Sequence, residues 1–328
     1  MTTSIRRRHP AASPWSFSSA PDVVATSTRQ PVASWDSTVD DTPPVFVDTD
    51  GGLDDLVALT TLHATGRLAG VTTVWGNVSA MAAARNVTLV APGIPVVCGA
   101  RTPPRTWHPE WAHGHDGVGD ILTASERLTR VPLTGDAPQA ISEYASTHPG
   151  GILLCIGPLT NLVGAYRLDP GSLRRLRAIV ILSSVGTDRS PLIRRISDTN
   201  TRHDPAAAAA IATATDLPVW WIGLDVSRRL RLGAADLPRT RIGGHASMRR
   251  YGLANRCRNG ASPWSVPCHD LVAAAVALHP DIARWVPGRA AVRSATSVRI
   301  VVENDPTSPH QAVVDVDLEG VRALARRT

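Results

Sequence analysis

From Val45 onward the chain alternates short apolar runs with helical stretches, and this rhythm limits the available folds more than any other feature. Strands are predicted at Val45–Asp48, Val71–Trp75, Pro95–Cys98, Ile152–Ile156, Ala178–Ser183 and Pro218–Ile222. Helices are predicted at Leu53–Thr65, Ser79–Val90, Pro138–Thr147, Asn161–Arg167 and Asp204–Ala214. Strands that are apolar along their whole length need cover on both faces, and a helix between successive strands supplies it. The expected fold class is therefore α/β: an open, mostly parallel sheet with helices on both faces. A later helix, His269–Leu278, leads to two strands, Ser297–Val302 and Ala312–Val316, expected to pair as a C-terminal antiparallel hairpin. No repeat or linker divides residues 44–328, which read as one domain. Residues 1–43 are rich in Ser, Thr, Ala and Pro, with four Arg against four Asp, and read as a disordered tail. No apolar region follows Arg6-Arg7-Arg8 to make it an export signal.

Composition excludes several classes. A chain of 328 residues, 43% hydrophobic and 19% charged, can bury a sizeable core. No apolar run reaches the roughly 18–20 residues that span a bilayer, so no membrane helix is expected. The four cysteines show no CxxC spacing and read as thiols in a reducing compartment, with cytoplasmic location the expectation. The net charge of +6 comes with no lysine at all; every basic residue is Arg. Nine of these fall between Arg228 and Arg258 against one acid, Asp236. That block reads as a solvated face, and nucleic acid is not the expected partner.

Ligands of an open α/β sheet gather at the carboxyl ends of its strands, so the first strand–helix turn is where chemistry is sought. It reads Val47-Asp48-Thr49-Asp50-Gly51-Gly52-Leu53-Asp54-Asp55. Asp54 and Asp55 gain from the dipole of the helix they begin. Asp48 and Asp50, alternating across a strand end, have no such account. Hard oxygen ligands separated by glycines suggest Ca²⁺ or Mg²⁺. A phosphatase signature of the form Asp-x-Asp-x-Thr/Val fits poorly, because Gly52 stands at the Thr/Val position and the basic residue that family normally carries, Lys, is missing.

The segment Asp48–Asp55 instead resembles the Asp-x-Asp-Pro-Gly-x-Asp-Asp opening of the inosine–uridine-preferring nucleoside hydrolases. Further matches follow in order: Val71–Val78 with its Gly76-Asn77, Arg85-Asn86, Ile94–Ala100, His113-Gly114-His115-Asp116-Gly117, Gly157-Pro158-Leu159-Thr160-Asn161, Asp204-Pro205 and His269-Asp270. The resemblance runs over about residues 44–317 and implies hydrolysis of the N-glycosidic bond of a ribonucleoside, with Ca²⁺ as cofactor. By position it makes Asp50, Asp55, the carbonyl of Thr160 and Asp270 the metal ligands. Asp50 is also the implied general base and His269 the implied acid toward the leaving base. Asp54 and Asn77 would hold the ribose hydroxyls, with Asp270 beside them and Asp48 supporting the cluster from behind. Asp198 and Asn200 align with a Glu-x-Asn pair that binds the 5′-hydroxyl, Glu being replaced by the shorter Asp. His113 and Trp111 lie in a loop that closes over substrate, and Trp75, Trp107 and Trp264 are further aromatic candidates near the mouth. The implied partner is a small-molecule ribonucleoside or nucleotide, and the family implies a homodimer or homotetramer.

The chain departs from the family pattern in places. Gly51 and Leu271 replace prolines, and Trp75 replaces a small residue. A sugar-contacting Gly-Asn has no clear match in Gly186–Ser190. Arg189, Arg194, Arg195 and Arg202 crowd that segment instead. Two alternatives therefore stay open: hydrolysis of a nucleoside 5′-monophosphate or other 5′-modified nucleoside, since Arg forks suit phosphate, and a non-catalytic nucleoside-binding homologue.

Overall fold

The computed structural model describes residues 43–103, 113–131, 135–183, 186–187, 198–237, 244, 247–249, 252, 265–292, 300–303 and 305–327. Its strands in chain order are β1 (Val45–Thr49), β2 (Leu68–Thr73), β3 (Val96–Cys98), β4 (Ile152–Cys155), β5 (Ala178–Leu182), β6 (Gly186–Thr187) and β7 (Val219–Ile222). There follow β8 (Arg231–Gly233), β9 (Ser265–Pro267), β10 (Ala283–Pro287), β11 (Arg289–Val292), β12 (Ile300–Glu303) and β13 (Gln311–Val316). Eight of them form the main sheet, in the order β10-β13-β7-β5-β4-β1-β2-β3. Every neighbouring pair in it is parallel except β10 with β13.

The apolar runs end up where their composition demands. β1, β4 and β5 are buried at every position. Side chains alternate across a strand, so Phe46, Leu153, Cys155, Ile179, Ile181, Val219 and Trp221 share one face. They pack in one cluster with Ile141, Leu162 and Ile211 from the helices Ala137–Thr147, Thr160–Leu168 and Pro205–Ala212. Helix α1 (Leu53–Ala64) packs against the His269–Leu278 helix, which contacts β4 and β5. That last helix is apolar nearly all round, as its complete burial from Asp270 to Leu278 requires. Helix α2 (Ala80–Val90) flanks β2 and β3.

The antiparallel pairing expected near the C-terminus is present, but the two strands predicted to form it do not pair with each other. β12 runs antiparallel to β11 and parallel to β6 in a separate three-stranded sheet. β13 lies in the main sheet between β7 and β10. It buries Ala312, Val313 and Val316 there, which an exposed two-stranded hairpin would leave wet. The region read as a disordered tail lies outside the described residues, apart from Pro43. Among the described residues, no helix is long and apolar enough to cross a membrane.

Candidate active site

The strand order reverses beside β1. From it the chain enters α1 and then β2 on one side, whereas β4 on the other side leads to the Thr160–Leu168 helix. The crevice between the carboxyl ends of β1 and β4 is the binding position of such a sheet. The two helices that meet there, α1 and His269–Leu278, both point their N-termini at it, and each carries carboxylates in its first turn: Asp54 and Asp55 on one, Asp270 on the other. The partial positive charge of a helix start favours anions. Asp54 joins the two helices directly, because its Oδ2 accepts the backbone N–H of His269 at 3.0 Å.

Local sequence sets the turn. Gly51 sits at φ +69°, a left-handed conformation that glycine adopts without strain. A proline, locked near φ of about −65°, would force a different backbone at this position. Gly76 is needed for space: a Cβ there would lie 2.0 Å from Asp50 Oδ2. Asp50 is fully buried, and both its oxygens face Asn77, accepting from the backbone N–H at 2.8 Å and from Nδ2 at 3.0 Å. The same Nδ2 approaches Asp55 Oδ2 at 3.3 Å, so one amide bridges two carboxylates. Asp55 also accepts from Thr49 Oγ1 and, at 2.9 Å, from the N–H of Gly52. It lies within hydrogen-bonding range of both Asp50 and Asp270.

The electrostatic outcome is a buried set of carboxylates that repel one another. Burial, then the charge of Asp55, lifts Asp50 well above the ordinary carboxylate range. Burial and the charges of Asp54, Asp55 and Asp50 do the same to Asp270. Asp55 is raised by burial and by Asp54. The carboxylate oxygens of Asp54, Asp55 and Asp270 come within 4.8 Å of one another, close enough to hold one metal ion. Buried, mutually repelling hard oxygen donors suit a hard divalent cation. This group shares Asp55 and Asp270 with the expected ligand set and includes Asp54, which the sequence assigned to the sugar. Asp50 stands beside it. Thr160 begins the Thr160–Leu168 helix and donates its Oγ1 to Asp204 Oδ2 at 2.8 Å.

Asp48 lies one layer below. Its Oδ1 accepts from Thr72 Oγ1 at 2.7 Å and from Asn161 Nδ2 at 2.8 Å, while its Oδ2 accepts no hydrogen bond from the described residues. Burial pushes its carboxyl up to about 7. Asn161 is a residue whose role the sequence reading missed, although it closes the Gly157–Asn161 motif. It also donates to the Thr73 carbonyl at 3.1 Å and accepts the Ala100 N–H at 3.0 Å, tying β1, β2 and the end of β3 to the helix that Thr160 begins.

The histidines converge. His113 accepts the N–H of Leu53 on its Nδ1 at 3.0 Å, which caps the first turn of α1. That nitrogen lies 3.8 Å from Asp54 Oδ1, but while it accepts from Leu53 it carries no proton, so the approach is not an ion pair. His269 is half-buried among Asp54, His113 and Asp198, and burial lowers its pKa. Its Nδ1 lies 3.0 Å from Ser227 Oγ. Behind the His113 loop, Asn86 Nδ2 donates to the carbonyls of Gly51 and Asp116 at 3.1 and 2.8 Å, joining the loop to the acidic turn.

The two residues that the resemblance assigns to the 5′ end make local contacts. Asp198 caps the Thr199–His203 helix, accepting from Thr201 N–H at 2.8 Å and Oγ1 at 2.6 Å. Asn200 Nδ2 donates to the Ile156 carbonyl at 2.8 Å. Trp75 is fully buried against the ring of His203, with centroids 5.4 Å apart, so its ring is packed inside the protein. Arg202 is exposed and bonds Thr199 Oγ1 at 3.1 Å. Trp107, Trp111, Trp264, Arg189, Arg194 and Arg195 lie outside the described residues.

Known proteins agree with this architecture. The profile described as inosine-uridine preferring nucleoside hydrolase matches residues 45–323. Uridine nucleosidase 1 of Arabidopsis thaliana is 28% identical over 267 residues, covering 74% of this chain and 76% of its own. A non-specific ribonucleoside hydrolase of Escherichia coli is 29% identical over 298 residues, covering 84% of this chain and 95% of its own. The solved structure of a plant nucleoside hydrolase shares the fold with a TM-score of 0.73 at 24% identity, over 87% of this chain and 98% of that one.

Proposed function

As a member of the inosine-uridine preferring nucleoside hydrolase family, the chain is a glycosidase that hydrolyses the N-glycosidic bond of ribonucleosides, and we propose that it does so with Ca²⁺ held by the carboxylates of its first turn. The observation that carries this reading is the meeting of Asp50, Asp55 and Asp270 at the strand ends, with Asn77 bridging two of them. Asp50, Asp55, Asp270 and the Thr160 carbonyl would hold the cation, with Asp54 inside the same acidic group. When bound, it supplies the positive charge that offsets the repulsion among the carboxylates and acidifies a nearby water.

The remaining work belongs to the chain. Asp50, fixed by two hydrogen bonds from Asn77, takes a proton from the attacking water. The water oxygen bonds to C1′, the C1′–N bond breaks, and its electron pair leaves with the base. Asp54 and Asn77 hold the ribose hydroxyls, and the carboxylates around the sugar stabilise its developing positive charge. His269, with His113 near it, supports the departing base by a proton or a hydrogen bond. Asp198 and Asn200 stand at the 5′ end. We propose further that the enzyme acts in the cytoplasm, in nucleoside salvage or in a specialised pathway, as a homo-oligomer.

The test is release of free base from a panel of ribonucleosides and their 5′-phosphates, with Ca²⁺ and after EDTA treatment, alongside Asp50→Asn. Loss of release in both the variant and the chelated enzyme is the expected result. Release that survives chelation removes the cation from the reading. Preference for a 5′-phosphate over its nucleoside would turn the specificity toward nucleotides.

A further inference from the structure

We infer that Ser227 is a positioning residue for His269: its buried hydroxyl donates to Nδ1 and keeps the neutral imidazole in the tautomer that carries its proton on Nε2, ready to donate to the departing base. The inference rests on the reading of His269 as the group that supports that base.

Ser227 ends the short Leu224–Ser227 helix that follows β7 and packs against the His269–Leu278 helix. Its side chain is fully buried. Its N–H donates to the Gly223 carbonyl and its own carbonyl accepts from Leu230. Among the described residues, the partner of its hydroxyl is Nδ1 of His269, 3.0 Å away. A buried hydroxyl that keeps its proton from any acceptor loses most of the free energy of a hydrogen bond. The O–H therefore points at Nδ1.

A neutral imidazole has one N–H and one acceptor nitrogen. With Nδ1 accepting from Ser227, the proton sits on Nε2. The opposite tautomer would aim its proton at Ser227 and present Nε2 as an acceptor, which cannot stabilise a base leaving with an extra electron pair. The backbone of His269 is held independently by its N–H to Asp54 Oδ2 at 3.0 Å, so the residue is fixed at both ends. As the C1′–N bond breaks, the Nε2–H hydrogen bond meets the charge growing on the base. The base then takes a proton from solvent, and Asp50 returns to solvent the one it removed from water.

The test uses the full-length Ca²⁺-loaded enzyme with ¹⁵N-labelled histidine, at a pH where the ring is neutral. His269 is assigned by loss of its signals in His269→Gln. In the wild type the ring shows a protonated Nε2 and a bare Nδ1; Ser227→Ala loses that preference and Ser227→Thr keeps it. Kinetics run in parallel on a ribonucleoside and on 4-nitrophenyl riboside, whose leaving group needs no donor. Ser227→Ala lowers kcat on the nucleoside by about 10²-fold, the low end for an acid–base group, with KM and the 4-nitrophenyl rate little changed; Ser227→Thr restores most of the loss. Should Ser227→Ala not fold, Ser227→Cys, close in size with a weaker donor, is read in the same way. A wild-type proton on Nδ1, equal slowing of both substrates, or no slowing overturns the inference. Full nucleoside activity in His269→Phe, which has no donor, with Asp50→Asn inactive, also overturns it. In that case it is the role of His269 that has failed, and the ring spectrum reports the Ser227 contact separately.

Discussion

Asp48 offers a measurement that reads the cost of burying charge under this site. Its carboxyl is fully buried, and burial lifts it from 3.8 to about 7 against the opposing donations of Asn161 and Thr72. The folded chain then holds the Asp48 proton more tightly than the unfolded chain does. Its contribution to stability is complete below pH 3.8 and is lost as the pH climbs to about 7. Within that window the loss is about 1.4 kcal/mol per pH unit. Between pH 5 and 8 this amounts to about 2.5 kcal/mol, since the unfolded carboxyl is already ionised at the lower pH and the folded one ionises across the interval. Asp48→Asn cannot ionise, yet it keeps an oxygen for Thr72 and Asn161. Its amide nitrogen would replace an Oδ2 that accepts no hydrogen bond among the described residues, adding a pH-independent cost of about 1–3 kcal/mol. The informative quantity is therefore the change in the difference between the two proteins with pH. Urea unfolding of the chelated proteins from pH 5 to 8 should show the wild type losing about 2.5 kcal/mol relative to the variant. A difference that stays flat within about 0.5 kcal/mol would refute the reasoning.

Three further outcomes are expected. Gly76→Ala drives a methyl group into Asp50, and a shift of about 1 Å in that carboxylate should cost 10²-fold or more in base release; an unchanged rate would mean the Asp50 contact is not needed. Asp198→Ala should lose about 1 kcal/mol of stability as a helix cap, and Asp198→Ser should regain most of it. If Asp198 also binds the 5′-hydroxyl, KM rises in both variants, and an unchanged KM in Asp198→Ser limits it to capping. Ca²⁺ at a hundred times its Kd should stabilise the fold by about 2.7 kcal/mol, read as a rise in Tm over the chelated protein; Asp270→Asn should weaken that rise, and a Tm indifferent to Ca²⁺ would count against the site.

Much of the fold was legible because β1, β4, β5 and β7 are apolar on both faces and sit between helices with clear starts. Ser79, Asp136 and Asp204 cap the helices that follow them, in agreement with the pattern of side-chain oxygens at helix starts. β10 and β11 escaped notice: Ala283–Val292 mixes Arg, Trp, Pro and Gly with few consecutive apolar residues, as edge strands do. The C-terminal antiparallel pairing is present, but its partners differ from the two strands predicted, for a related reason. Periodicity identifies a strand but says nothing about which strand lies beside it, and β13 lies between β7 and β10, where Ala312, Val313 and Val316 are buried.

The acidic turn was legible for a chemical reason. Four carboxylates after a buried strand are too costly to lack a purpose, and their spacing, with Gly76-Asn77, Gly157–Asn161 and His269-Asp270, identified the family from sequence alone. What only the tertiary structure decided is how distant residues share the work. Asn77 reaches both Asp50 and Asp55, Asn161 gathers three strand ends, and His113 caps the helix that carries Asp54. Ser227 and His269 stand 42 residues apart and touch only because the short Leu224–Ser227 helix packs against the His269–Leu278 helix. Side-chain hydrogen bonds need separations of about 3 Å, and separations of that kind are set by the packing of whole elements, which no local stretch of sequence encodes.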